Sequence, residues 1–152
     1  MNADFRKSVV YQVYPRSFRD SNGDGLGDIR GVIQKLDYIR ELGADYIWLT
    51  PFFVSPQNDN GYDVEDYYRI DPGYGTMEDV EELIEEGKRR GIGLMFDMVF
   101  NHVSTRHEWF VKAMEGDPYY KDFFFFRKGK PDGSAPTNWQ SKFGGSAWEY
   151  VE

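Results

Sequence analysis

Apolar positions in the first hundred residues keep two rhythms, one of strands and one of helices. "VVYQVYPRSF", Val9 to Phe18, is dense in valine and aromatic residues and predicts a strand. From Ile29 to Leu42 the apolar residues Val32, Leu36 and Ile39 recur at i, i+4 and i+7, the period of a helix. Gly43 follows where a helix-ending glycine belongs. "YIWLT", Tyr46 to Thr50, is a short apolar run stopped by Pro51 and predicts a buried strand. The turn-forming stretches "SPQNDNG" and "DPGYG" make Pro51 to Gly75 a long loop. Thr76 then offers a capping hydroxyl, with Asp79 three residues on. The helix it starts, Met77 to Arg90, presents Val80, Leu83, Ile84 and Gly87 on one face. Lys88, Arg89 and Arg90 fall at its C-terminal end, where the helix dipole favours them. "LMFDMVF", Leu94 to Phe100, predicts a third strand.

The order strand, helix, strand, helix, strand implies parallel pairing, and so an α/β fold. The strands are apolar at most positions, as a sheet covered on both faces requires. After Phe100 the alternation stops, and the chain becomes aromatic and broken by glycine and proline, with short candidate strands near "FFFFR". Residues 1–100 and 101–152 are therefore expected to be separate regions. Three strands are too few for a doubly wound sheet or for an eight-stranded barrel. The expectation is an N-terminal part of something larger.

Composition narrows the function. A net charge of −8 opposes binding to nucleic acid. The chain has no cysteine, so disulfides and thiolate metal sites are excluded. No apolar run reaches a membrane-spanning length, and "MNADFRKSVV" lacks a signal-peptide core. Cytoplasmic residence is the expectation.

The candidate chemistry sits after the strands, where α/β folds bind ligands. In "RDSNGDGLGDIRG" acidic and amide residues recur at alternate positions. Asp20, Asn22, Asp24 and Asp28 offer side-chain oxygens, Leu26 a carbonyl, and Gly25 permits a sharp turn. These are hard ligands suited to Ca2+ or Mg2+, and a glycine-rich Asx turn without metal is the alternative. Gly31 stands where an EF-hand would place its glutamate, so a loop-stabilising role is expected rather than a switch. Asp97 is a carboxylate inside an apolar strand and needs an arginine or hydrogen-bond donors. His102 follows the same strand. From spacing alone, Tyr62, Trp48 and Phe143 could be plain core residues, the usual fate of aromatics, and the phenylalanines at 123–126 are expected to pack.

Taken together, "VVYQVYPRSFRDSNGDGLGDIRGV", "IWLTPFFVSPQNDNGYDV", "YGTMEDVEELIEEGKRRGI", "DMVFNH" and "SKFGGSAWEY" resemble the alpha-amylase family, glycoside hydrolase family 13. The resemblance lies in its oligo-1,6-glucosidase, α-glucosidase and trehalose-6-phosphate hydrolase branch and runs from about Ser8 to Val151. It implies a (β/α)8 barrel with a small domain inserted after strand three. It implies one structural Ca2+ or Mg2+ at Asp20, Asn22, Asp24, the Leu26 carbonyl and Asp28. It gives Asp59 the outer hydroxyls of the terminal glucose, and Tyr62 the stacking platform beneath that sugar. His102 would bond the 6-hydroxyl and steady the transition state, Asp97 would support it, and Phe143 would be an aromatic wall. The implied function is a retaining, exo-acting α-glucosidase on short α-glucosides, with trehalose-6-phosphate hydrolase as the alternative. A non-catalytic amylase-like assembly domain is the alternative of another class. In this family the nucleophile and the general acid come from later strands, so these 152 residues are expected to be inactive alone.

Overall fold

The computed structural model describes residues 4–151. They divide into two compact units, one ending at Val111 and one beginning at Lys112.

In the first unit, strands β1 (Val10–Val13), β2 (Tyr46–Leu49) and β5 (Gly93–Phe96) form a parallel sheet in the order β1-β2-β5. The register aligns Val13, Leu49 and Phe96 at the carboxyl edge. Helices α2 (Ile29–Gln34), α3 (Leu36–Glu41) and α4 (Met77–Arg89) lie between the strands in sequence. The core joins Ile29, Val32, Leu36 and Ile39 of the helices to Ile47, Leu49 and Leu83, each at most 1% exposed. Burying a side chain of this size contributes roughly 1.5–3 kcal/mol.

Several expectations change. The first strand stops at Val13, because Pro15 starts the short helix α1 (Pro15–Phe18) at its first turn. The helix expected over Ile29 to Leu42 is two helices. The Lys35 N–H turns to the Val32 carbonyl at 3.0 Å, which interrupts the ladder. Leu36 and Ile39 stay buried across the break, so the apolar period survives it. The expected loop after Pro51 holds an antiparallel pair, β3 (Phe53–Val54) and β4 (Asp66–Ile70). Ile84 does not join the buried face of α4, and is 43% exposed. β5 ends at Phe96, and Asp97 follows it just outside the strand. One face of the sheet is open among the described residues. Trp48 and Met95, paired in register with each other, are 36% and 40% exposed.

The start of α4 matches its sequence signature. Thr76 and Asp79 form a reciprocal capping box, and the buried Asp79 carboxylate also meets Arg30 of α2 at 2.7 Å. Helix α2 packs so closely on the preceding chain that a Cβ on Gly31 would stand 1.9 Å from the Arg19 carbonyl oxygen. Only glycine fits there.

Helix α5 (Glu108–Met114) runs into the second unit, followed by the short α6 (Pro118–Lys121). No strand forms at the four phenylalanines, of which Phe125 is 84% exposed and Phe124 meets Phe126 edge to face. Trp139 and Trp148 stack at 6.0 Å, and the Trp148 indole N–H donates to the Thr137 hydroxyl at 2.8 Å. A bridge between Gln140 and Ser146 closes a turn with Phe143 near its tip, 89% exposed. Among the described residues no helix is long and apolar enough to cross a membrane.

Candidate active site

Tyr14, Thr50 and Asp97 are the first residues past the three parallel strands. The ladder continues into them: the Thr50 N–H donates to Val13 at 3.0 Å, and the Asp97 N–H to Leu49 at 3.1 Å. Asp97 therefore stands at the carboxyl edge of the sheet. Its partner is not an arginine. The Tyr62 hydroxyl donates to Asp97 Oδ2 at 2.9 Å, across 35 residues of sequence. Burial pushes the Tyr62 phenol up to about 12, and the Asp97 carboxylate, with Asp59 behind it, adds to the effect.

His102 joins the same group through its ring. Its Nε2 lies 3.0 Å from the Tyr62 carbonyl. A carbonyl only accepts, so Nε2 carries the proton, and Nδ1 is the nitrogen left to meet a ligand. The turn that carries His102 is fixed by Tyr67, whose hydroxyl shares its proton between the Val99 and His102 carbonyls. The other histidine, His107, is buried and accepts from the Trp109 N–H at 3.1 Å, and its burial lowers its basicity.

The structure thus gathers Asp59, Tyr62, Asp97 and His102 in one unit at one edge of the sheet. Phe143 belongs to the second unit. Trp48 and Phe143 are exposed and Tyr62 is half-buried, so none of the three is a core aromatic. Sequence reading missed Tyr67 and also Asp63, whose carboxylate accepts the Ser55 hydroxyl and the Asn58 and Asp59 N–H groups. Tyr67 gave no signal beyond an aromatic in a polar run. Asp63 had one, since its place four residues after Asp59, at the end of the turn-forming run SPQNDNGY, is that of a loop-closing carboxylate.

The acidic loop closes on itself. Asp20 accepts the N–H groups of Asn22, Gly23 and Gly25, and Asp24 accepts that of Leu26. The Gly25 and Gly23 donors, outweighing burial, hold the Asp20 carboxyl below its ordinary value. Asp28 is the N-cap of α2, accepting from Gly31 at 2.6 Å and from Ser21 at 2.9 Å. Gly25 takes φ +94, as the sharp turn required. The donor set is all hard oxygen and suits Ca2+ or Mg2+ in kind. The oxygens are turned onto backbone N–H groups, and among the described residues no three Asp, Glu or His side chains converge as a metal cage.

Carboxylates, a tyrosine and a histidine converging at the carboxyl edge of a parallel sheet make the arrangement of an α/β enzyme site. The chain belongs to the alpha-amylase family: residues 12–152 match the alpha amylase catalytic domain. Among its curated relatives, trehalose-6-phosphate hydrolase of Escherichia coli is 56% identical over 96% of this chain and 26% of its own length. Oligo-1,6-glucosidase of Heyndrickxia coagulans is 54% identical over 97% of this chain and 27% of its own. The solved trehalose-6-phosphate hydrolase of Bacillus licheniformis superposes with a TM-score of 0.93 at 59% identity, covering 98% of this chain and 27% of that one. The trehalulose synthase of Pseudomonas mesoacidophila does so with 0.89 at 52%, covering 95% and 26%. The chain spans about a quarter of the length of these relatives.

Proposed function

We propose that these residues are the N-terminal part of a retaining glycoside hydrolase that removes terminal glucose from short α-glucosides. The observation that carries the reading is the Tyr62–Asp97 hydrogen bond with the His102 ring on the Tyr62 carbonyl. It holds an aromatic face, a carboxylate and an imidazole at one point. A sugar stacked on Tyr62 would meet Asp59 at its outer hydroxyls and Nδ1 of His102 at its 6-hydroxyl. As the glycosidic bond breaks, positive charge grows on the ring, and the Asp59 and Asp97 carboxylates favour it. In this proposal the sheet is part of a (β/α)8 barrel, and the region after β5 a small inserted domain that carries Phe143 as a sugar-binding aromatic. The nucleophile and general acid come from later strands, so the 152-residue chain alone turns over nothing. The proposed location is the cytoplasm. One Ca2+ or Mg2+ at Asp20, Asn22, Asp24, the Leu26 carbonyl and Asp28 would stiffen the loop and take no part in the chemistry.

The test is side-by-side hydrolysis of isomaltose, maltose and trehalose 6-phosphate by the full-length protein, with the first-formed glucose anomer read by NMR. Release of α-glucose supports the reading. Release of β-glucose, or of none from any substrate, overturns it. Trehalose 6-phosphate is the second candidate substrate, favoured by the 56% identity to a hydrolase of that name. The ratio of kcat/KM values decides between it and isomaltose.

A further inference from the structure

Asp59 is placed by a loop that is itself unfavourable. Between Ser55 and Tyr62 two residues with side chains, Gln57 and Asn60, take positive φ values of 62° and 52°. Side chains disfavour that conformation, and it persists only where neighbours over-determine it. The Gln57 side chain is held by Asp71 at 3.2 Å and by the Tyr74 hydroxyl at 3.4 Å, and the backbone around it is held by one carboxylate. Asp63 Oδ1 accepts the Ser55 hydroxyl at 2.8 Å and the Asp59 N–H at 3.0 Å. Its Oδ2 accepts the Asn58 N–H at 2.9 Å. The Ser55 oxygen in turn accepts the Gln57 N–H at 3.0 Å, so the first strained residue hangs from Asp63 through Ser55. The Asp59 bond fixes the residue just before the second. Burial pushes the Asp63 carboxyl up, but the Ser55 hydroxyl and the Asp59 and Asn58 N–H groups outweigh it and hold the group below its ordinary value. Asp63 is therefore a fixed anion at neutral pH, able to take all three donors.

The same residue reaches the other half of the site. It follows Tyr62 directly, and the Tyr62 N–H closes the turn onto the Asp59 carbonyl at 3.0 Å. The Asp59 charge is near enough to raise the Tyr62 phenol. Moving the Asp59 backbone would therefore shift a carboxylate relative to the ring on which the sugar would stack.

We propose that Asp63 is a positioning residue: through the Asp59 and Asn58 N–H groups it sets the direction in which the Asp59 carboxylate meets the terminal sugar. This rests on the α-glucosidase reading. It makes no contact with sugar itself, and a loop staple without this role would affect stability alone.

The experiment is a double-mutant cycle in the full-length enzyme. Asp63→Asn keeps the shape but sets an amide NH2 against backbone donors, and kcat/KM should fall about 10- to 100-fold, mostly through KM. Asp59→Ala should also lower it. In the double variant, Asp63→Asn should add less than about twofold, because the group it aims is gone. A double variant that loses the product of the two single effects overturns the proposal. A second readout does not use turnover. Hydrogen exchange over residues 55–62 should quicken about tenfold in Asp63→Asn, and unchanged exchange also overturns it. If the wild-type protein cleaves no α-glucoside, the α-glucosidase reading falls by itself. The same cycle read by calorimetric glucose binding then decides the positioning role, additive losses refuting it.

Discussion

Tyr62→Phe removes one oxygen and leaves the aromatic face in place. What is lost is the hydroxyl proton that Asp97 Oδ2 receives at 2.9 Å. A hydrogen bond to a charged group contributes about 1.5–3 kcal/mol when buried. Both residues are half-buried, so solvent takes up part of the loss and the lower end applies, about 1.5 kcal/mol. Asp97→Asn removes the charge but keeps an acceptor, and should cost less. The double variant should therefore be more stable than the sum of the single losses allows, by about 1 kcal/mol. The assay is urea unfolding of the wild type and the three variants, with the slope required to stay constant. Agreement with additivity within about 0.5 kcal/mol would show that the two groups do not couple, and the site described here would be wrong.

Three further outcomes are expected. The Tyr62 phenol should titrate at about 12, and Asp97→Asn should move it toward the ordinary 10, read by phenolate absorbance. Because the folded value is raised, its stabilising contribution is complete below pH 10 and fades between 10 and 12, so alkaline unfolding should steepen across that window. Gly31→Ala sets a methyl group 1.9 Å from a backbone oxygen, and should lose about 3 kcal/mol or the soluble protein altogether. Ca2+ at about 100 times its dissociation constant should stabilise the protein by about 2.7 kcal/mol, and Asp24→Ala should abolish that gain with little effect in chelator. A melting temperature indifferent to Ca2+ and Mg2+ would refute the metal loop.

What could be read from the sequence was whatever rests on near neighbours. Thr76 and Asp79 are three residues apart, and their reciprocal hydrogen bonds formed as the spacing implied. Val32, Leu36 and Ile39 kept their buried face even though Lys35 broke the helix between them. Pro15 held a signal that the β-rich residues around it concealed, and it turned the chain into α1. Ile84 had the right spacing for burial, but among the described residues nothing packs over it and it stays 43% exposed. In the site, Asp97 announced itself as a charge in an apolar run. That its partner would be Tyr62 could not be read, because the bond is made by the parallel register and by the path of the loop after β3. The β3–β4 pair was hidden for the same reason, with two residues in one strand and an irregular register.

The parallel register also has a kinetic meaning. Val10 must find Tyr46, and Tyr46 must find Gly93, before the carboxyl edge exists. Such non-local pairing is slow, since each closure surrenders chain entropy before contacts repay it. Asp97 has no fixed place until β5 docks, and Tyr62 has no acceptor until Asp97 arrives. The hydroxyl of Tyr62 is thus a late witness of folding, and in a refolding experiment its hydrogen bond to Asp97 should form after helix α4.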